Sequence, residues 1–297
     1  MPDRRRMVRI IQEFVSIGAK TTMRIGGQAH YFAELVTKDD VEAAWAFSQE
    51  KEIPMIPLGG GSNTIFADGV VEALVVRIKH DRVTVDGNTV TVGSGMNLPM
   101  LINDLAAKNL DLSPLTGILG TVGGAVFGNA GQGPKGIWID TYVEEVTVFW
   151  ENEWRAMSKE ECDFGYRESI FKHGPDAHPL VWEVKLHVPT VAATDIQESI
   201  QTLLKKRIET QPHVKTAGSC FKAVGETPAW KLIDAAGLRG YTVGDVAIAE
   251  KHANFLLNTG KASFEDAVTL VKNVKGAVSE ELDVEMRFFD GDGSLVF

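Results

Sequence analysis

Apolar positions along this chain alternate between two periods. Between residues 38 and 51, Val41, Ala44, Trp45 and Phe47 form a helical stripe, and Thr37 with Asp40 supplies the reciprocal capping pair that opens a helix. Ile53 to Leu58 is a short apolar run interrupted by prolines, and it leads directly into glycines. Val70 to Ile78 and Val83 to Val92 run or alternate apolar, and Asp86-Gly87-Asn88 inside the second stretch predicts a hairpin. Residues 98–109 return to helical spacing. Val143 to Phe149 and Leu180 to Val188 predict further strands, closed by Pro189.

Beyond Pro189 the pattern changes. Ile196, Ile200, Leu203 and Leu204 predict a helix over 194–209, and Trp230 to Ala236 a short one. Ser263 with Asp266 repeats the capping pair, ahead of Ala267, Leu270, Val271, Val274 and Val278 at helical spacing. The chain therefore divides into a β-rich region to about residue 189 and a mixed α/β region after it, without internal repeats.

Composition narrows the class. The chain has 297 residues, 44% hydrophobic and 24% charged, enough for about two domains with a sizeable core. A net charge of −10 argues against a non-specific grip on nucleic acid or anionic membrane. The two cysteines, Cys162 and Cys220, have no metal-ligand or CxxC spacing, so no metal site is expected; they suit a reducing compartment or could pair. Arg4, Arg5, Arg6 and Arg9 make the N-terminus basic, but no apolar segment of a secretory signal follows, and no stretch is long enough to span a membrane. The expectation is a soluble cytoplasmic protein with no obligate protein partner.

Three glycine clusters stand out: Gly26-Gly27, Gly59-Gly60-Gly61, and six glycines in the fifteen residues from Gly117 to Gly131. The last stretch is too glycine-rich to form a regular helix or strand at low cost. Any one cluster alone reads as a turn. Together they predict closely approachable backbone N–H groups for a diphosphate, with Ser62, Asn63 and Thr121 as side-chain donors. The spacing matches neither the dinucleotide-binding Gly-x-Gly-x-x-Gly nor a P-loop.

The ordered text carries a resemblance. Thr22-Met23-Arg24-Ile25-Gly26-Gly27-Gln28-Ala29 is followed by Leu58-Gly59-Gly60-Gly61-Ser62-Asn63 and by Thr116-Gly117-Ile118-Leu119-Gly120-Thr121-Val122-Gly123-Gly124-Ala125 with Asn129-Ala130-Gly131. Then come Tyr166-Arg167-Glu168-Ser169-Ile170-Phe171, Ala217-Gly218-Ser219-Cys220-Phe221-Lys222, and Glu285-Met286-Arg287. From about Lys20 to Phe289 the chain resembles the UDP-N-acetylenolpyruvoylglucosamine reductase (MurB) family, in its compact form without the extra tyrosine-bearing loop.

The resemblance implies an α+β fold. An FAD-binding domain of the vanillyl-alcohol-oxidase (PCMH) type would occupy residues 1–189 and a smaller α/β substrate-binding domain 190–297. It implies FAD as cofactor, NADPH as reductant and UDP-N-acetylglucosamine enolpyruvate as substrate. Cofactor contacts would come from Arg24, Gly26, Gly27, Leu58, Gly59, Gly60, Gly61, Ser62, Asn63, Thr116, Gly117, Gly120, Thr121, Gly123, Gly124, Ala125 and Asn129. Arg167 would steady developing negative charge, Ser219 would protonate the substrate, and Glu285 would be the second acid.

Each role has a plainer alternative: a salt bridge of Arg167 with Glu168, a turn serine at 219, an outward strand residue at 285. Tyr166 and Lys222 would line the substrate site. Arg207 and Lys215, with Lys206, would grip the diphosphate or form the solvated end of a helix. His252 would contact substrate or serve structurally. Two departures from the family pattern are Leu119, where proline is usual, and Ala223-Val224, where a polar residue and proline are common. A PCMH-type oxidase and a silent flavin or UDP-sugar binder are the competing readings. The first often attaches FAD through a histidine, which Leu58 to Asp68 lacks.

Overall fold

A computed structural model describes residues 11–132, 136–173 and 179–297, so the basic N-terminal arginines lie outside the described residues. The chain folds into two compact units, each assembled from separate segments. Among the described residues, the first comprises 11–12, 31–60 and those of 73–205, and the second 13–30, 61–72 and 206–297. A single break in the sequence therefore does not describe them. Strands β1 (Ile11–Ser16), β2 (Gln28–Leu35) and β5 (Val70–Ile78) each contribute residues to both.

In the first unit, helix α1 (Lys38–Lys51) begins at the Thr37–Asp40 capping box expected from the sequence. Its Val41 and Ala44 pack on Leu74 and Val76 of β5 and on Met55 of β3 (Met55–Pro57), which pairs in parallel with β5. The predicted hairpin forms from β6 (Val83–Asp86) and β7 (Thr89–Gly93), with Asp86 opposite Thr89 and Gly87 at φ 56°. It joins β8 (Val143–Trp150), β9 (Glu153–Ser158) and β10 (Leu180–His187) in an antiparallel sheet of order β6-β7-β10-β8-β9. Helix α2 (Leu98–Ala106) stops earlier than its apolar spacing suggests, because Asn109 turns left-handed at φ 61° and Leu110 N–H closes back on Leu105 O.

The glycine-rich stretch departs from expectation. Residues Val122–Phe127 form a helix, α3, with Gly123 and Gly124 inside it. Thr121 caps it, accepting the Gly124 N–H at 3.3 Å, while the Val122 and Gly123 N–H groups donate to Met96 O and Ser94 O at 2.9 Å each. A Cβ at Gly123 would sit 2.7 Å from Ser94 Cβ, so the helix reaches its place beside β7 and β10 only because that position is bare. Burial of Val122, Ala125 and Val126 and these bonds outweigh the glycine penalty of about 1 kcal/mol per residue.

In the second unit, β11 (Thr216–Ser219), β12 (Thr242–Val243), β13 (Val246–Ile248) and β14 (Phe255–Asn258) form an antiparallel sheet of order β11-β14-β13-β12. Helix α4 (Ala193–Thr210) lies across the division between the units, and α5 (Ala229–Ala235) matches the predicted short helix. Helix α6 (Phe264–Ala277) opens on the Ser263–Asp266 capping box and buries Ala267, Leu270, Val271 and Val274 against Val246, Ile248 and Leu256. Each of the larger side chains contributes about 1.5–3 kcal/mol by burial. Val278, placed in this helix by its spacing, is instead its extended C-cap. Strand β4 (Thr64–Phe66) pairs in parallel with β15 (Arg287–Phe289), placing the exit of the central glycine run beside the C-terminal strand. No helix among the described residues is long and apolar enough to cross a membrane, and no metal-ligating cluster occurs among them.

Candidate active site

In the first unit two glycine loops press together. A Cβ at Gly60 would stand 2.7 Å from Gly120 Cα, and one at Gly59 would stand 2.8 Å from Thr121 Oγ1. Gly59 and Gly60 are exposed, and among the described residues neither N–H has a partner. Leu58, buried just before them, is anchored by its N–H to Val76 O at 2.8 Å. Thr116 is buried, and its Oγ1 has no hydrogen-bond partner among the described residues, a costly state unless a ligand meets it. Bare backbone and an orphaned hydroxyl suit an anionic, hydroxyl-rich cofactor such as FAD. The Val122, Gly123 and Gly124 N–H groups already have protein acceptors, so the donors on offer lie in the loops.

Arg167 sits at the tip of a tight turn in the same unit. Gly165 and Glu168 exchange backbone hydrogen bonds at 3.0 and 3.1 Å, leaving Tyr166 and Arg167 between them, with Arg167 left-handed at φ 57°. Such a backbone costs about 1–3 kcal/mol and persists where the surroundings enforce it. Asn129, fully buried and itself at φ 38°, donates from Nδ2 to Gly165 O at 2.8 Å and accepts the Asp140 N–H at 3.3 Å. Its carboxamide therefore holds the Arg167 turn. Arg167 Nη2 donates to Gly131 O at 2.9 Å, Lys172 Nζ bonds Arg167 O, and Tyr166 lies 5.8 Å from the Trp138 ring. Glu168 pairs with Lys172 and His173. Gly117, Gly120 and Ala125 belong to this unit, Gly117 and Gly120 both at positive φ.

The second unit holds the other glycines and both proposed acids. A Cβ at Gly61 would meet Lys20 O at 2.4 Å, and one at Gly27 would meet Gly69 O at 2.0 Å, so both positions admit only glycine. Gly26 lies at φ 129°, and Arg24, left-handed at φ 57°, bonds Ala19 O through Nη1. Ser62 is half-buried. Asn63 reaches across the chain: Nδ2 donates to Glu285 O at 3.1 Å, and its own carbonyl accepts the Arg287 N–H at 3.0 Å.

Ser219 ends β11 opposite Phe255, and Cys220 O accepts the Glu285 N–H at 2.8 Å. Ser219 and Glu285 thus stand on adjacent, hydrogen-bonded segments, Glu285 half-buried and Asp283 exposed. Lys222 N–H donates to Asp283 O at 2.9 Å. Arg207 bonds Gln211, and Lys215 O accepts the Asn258 N–H. His252 packs edge-on to Phe255 at 4.6 Å, and its Nδ1 accepts the Asn254 N–H at 3.3 Å, so the neutral ring carries its proton on Nε2. Burial holds its pKa below the usual value, with Arg239 acting in the same direction.

Three polar residues beside these segments were given no site role from the sequence. Arg287 is half-buried and lies over Phe289 at 4.6 Å, and desolvation pushes its pKa down to about 10. Asn254 and Asn258 are buried amides that bond backbone at Phe221 and Met23. Their one signal was the presence of asparagine, poor in strands, at either end of the apolar run Phe255-Leu256-Leu257.

Cys162 and Cys220 are both free and buried. Burial pushes the Cys162 thiol up to about 12, and burial first and Glu285 second push Cys220 up as well. Native protein is expected to show no fast thiol towards Ellman's reagent at pH 8, and both after denaturation. A fast-reacting thiol in the folded protein would contradict this packing.

Residues 29–152 match an FAD binding domain, and residues 210–288 match the C-terminal domain of UDP-N-acetylenolpyruvoylglucosamine reductase. An FAD-binding domain joined to a reductase domain defines a flavin-dependent oxidoreductase of mixed α and β structure. The chain is 34% identical over 271 residues to UDP-N-acetylenolpyruvoylglucosamine reductase 2 of Symbiobacterium thermophilum, spanning 90% of this chain and 86% of that one. It is 32% identical over 283 residues to the reductase of Chlamydia muridarum, spanning 93% and 94%. The crystal structure of the MurB reductase from Thermus caldophilus superposes with a TM-score of 0.81 at 32% identity, covering 94% of this chain and 99% of that one. The chain belongs to the UDP-N-acetylenolpyruvoylglucosamine reductase family, and its cofactor is FAD.

Proposed function

We propose that this protein reduces UDP-N-acetylglucosamine enolpyruvate to UDP-N-acetylmuramate in cytoplasmic peptidoglycan synthesis, with NADPH as the reductant. The observation that carries this reading is that Glu285 N–H donates at 2.8 Å to the carbonyl of Cys220, the residue after Ser219, with Asn63 of the glycine loop bound to Glu285 O. FAD bound there would supply the redox chemistry, carrying reducing equivalents from NADPH to the β-carbon of the enol ether. The remaining tasks fall to the chain. As hydride arrives, negative charge develops on the substrate carboxylate, and the planar guanidinium of Arg167 is suited to a bidentate grip on it. Ser219 Oγ gives its proton to the α-carbon, completing addition of one hydride and one proton. Glu285 orients the same carboxylate.

We assign FAD to the region up to residue 189, through Arg24, Gly26, Gly27, Leu58 to Asn63, Thr116, Gly117, Gly120, Thr121, Gly123, Gly124, Ala125 and Asn129. The sugar nucleotide belongs to 190–297, where Arg207, Lys215 and Lys222 answer the diphosphate, and Tyr166 and His252 are assigned to the substrate as well. His252 Nε2–H is the one donor its ring has left to offer. In an anaerobic titration, NADPH should bleach the yellow protein and the UDP-enolpyruvyl sugar should restore the colour. Bleaching without recolouring would replace this reading with that of an oxidase.

A further inference from the structure

Ser219 stands where a β-ladder stops. β11 pairs with β14 at Thr216–Leu257 and Ser219–Phe255, with an irregularity between them, and Gly218 in that interval has φ +78°. The chain then runs on through Cys220 and Phe221, both buried, where backbone N–H and C=O groups need partners. Asn254 supplies them. Its backbone carbonyl accepts the Cys220 N–H at 2.8 Å. Its side-chain Oδ1 accepts the Phe221 N–H at 2.9 Å, and Nδ2 donates to Phe221 O at 2.8 Å. One carboxamide thereby replaces a missing strand residue.

The opposite edge of the same segment holds the second acid. Cys220 O accepts the Glu285 N–H, Phe221 bridges to Val284, and Lys222 N–H donates to Asp283 O at 2.9 Å. Residues 220–222 are therefore gripped between Asn254 and the segment bearing Glu285, with Ser219 at the start of the grip. We propose that Asn254 is a positioning residue for proton delivery: its carboxamide clamp on Phe221 sets where Ser219 stands relative to Glu285. The inference rests on Ser219 as the proton donor. The bonds of Asn254 run to Cys220, Phe221 and His252, so its role is confined to the step Ser219 performs.

The test compares wild type, Ser219→Ala, Asn254→Leu and Asn254→Asp as FAD-loaded protein. Asn254→Asp is nearly isosteric and keeps the acceptor for Phe221 N–H while losing the donor to Phe221 O, so it carries the test should Asn254→Leu fail to fold. Stopped-flow measurements follow flavin reduction by NADPH and reoxidation by the UDP-enolpyruvyl sugar, the latter in H2O and D2O. Both Asn254 variants should reduce at the wild-type rate and reoxidise about 100-fold more slowly, the scale of an ångström-level misplacement. The solvent isotope effect on reoxidation should rise as proton transfer becomes limiting. Normal reoxidation, or parallel loss of both half-reactions with an unchanged isotope effect, would overturn the positioning role. If Ser219→Ala reoxidises normally, the proton-donor assignment itself fails. An impaired Ser219→Ala beside a normal Asn254→Asp defeats only the role of Asn254.

Discussion

Replacing Ser219 by alanine should leave NADPH-driven flavin reduction within about twofold of wild type while slowing reoxidation by the sugar substrate by about 10²–10⁴-fold, the usual contribution of a positioned acid. The substitution is clean. The backbone at Ser219 is held by pairing with Phe255, and the next two residues are held by Asn254 and Glu285. None of these bonds uses the hydroxyl, so its removal takes away the proton and little else. Rapid-mixing kinetics of the two half-reactions decide the matter. Equal loss in both would show that Ser219 serves structure rather than proton transfer.

The second large effect is expected at Gly60. In Gly60→Ala the new Cβ would stand 2.7 Å from Gly120 Cα, a backbone atom that cannot swing aside as a side-chain tip could. Overpacking a closed contact by one methyl costs about 1–3 kcal/mol. The cost falls on the two loops whose bare N–H groups suit the cofactor, so FAD affinity should drop by about tenfold or more. The readout is the flavin-to-protein absorbance ratio after purification and after titration with FAD. Gly276→Ala is the control, because a Cβ there has nothing within 4 Å. Its helical position should gain about 0.5–1 kcal/mol with full FAD occupancy. Full occupancy in Gly60→Ala would mean that the two loops do not need their present approach.

Much of the local structure was legible because its causes are local. The capping boxes at Thr37–Asp40 and Ser263–Asp266 and the Gly87 turn formed where the residues signalled them, since each satisfies its hydrogen bonds within a few positions. Where the sequence misled, a distant contact intervened. Gly123 and Gly124 read as helix breakers, yet α3 forms because Met96 and Ser94 accept its first N–H groups and Ser94 leaves room only for glycine. The bond from Asn129 Nδ2 to Gly165 O, which holds the Arg167 turn, likewise had no local signal.

The site shows the same division. The order of motifs, read as text, was enough to point to FAD and to a reductase family, because glycine clusters and a few polar residues in sequence register with that family. Ser219 and Glu285 are 66 residues apart in the chain, and nothing in their spacing says that Cys220 O would bind the Glu285 N–H or that Asn63 would hold Glu285 from the glycine loop. Asn254 stood beside the candidate His252 and was given no role of its own. By itself the sequence determined what local hydrogen bonding and side-chain chemistry can specify: helix starts, turns, the glycine positions and the identities of the candidate acids. The tertiary structure alone decided which backbone each buried amide satisfies, because the demand for a partner is local to a buried N–H or C=O while the residue that answers it can lie anywhere in the chain.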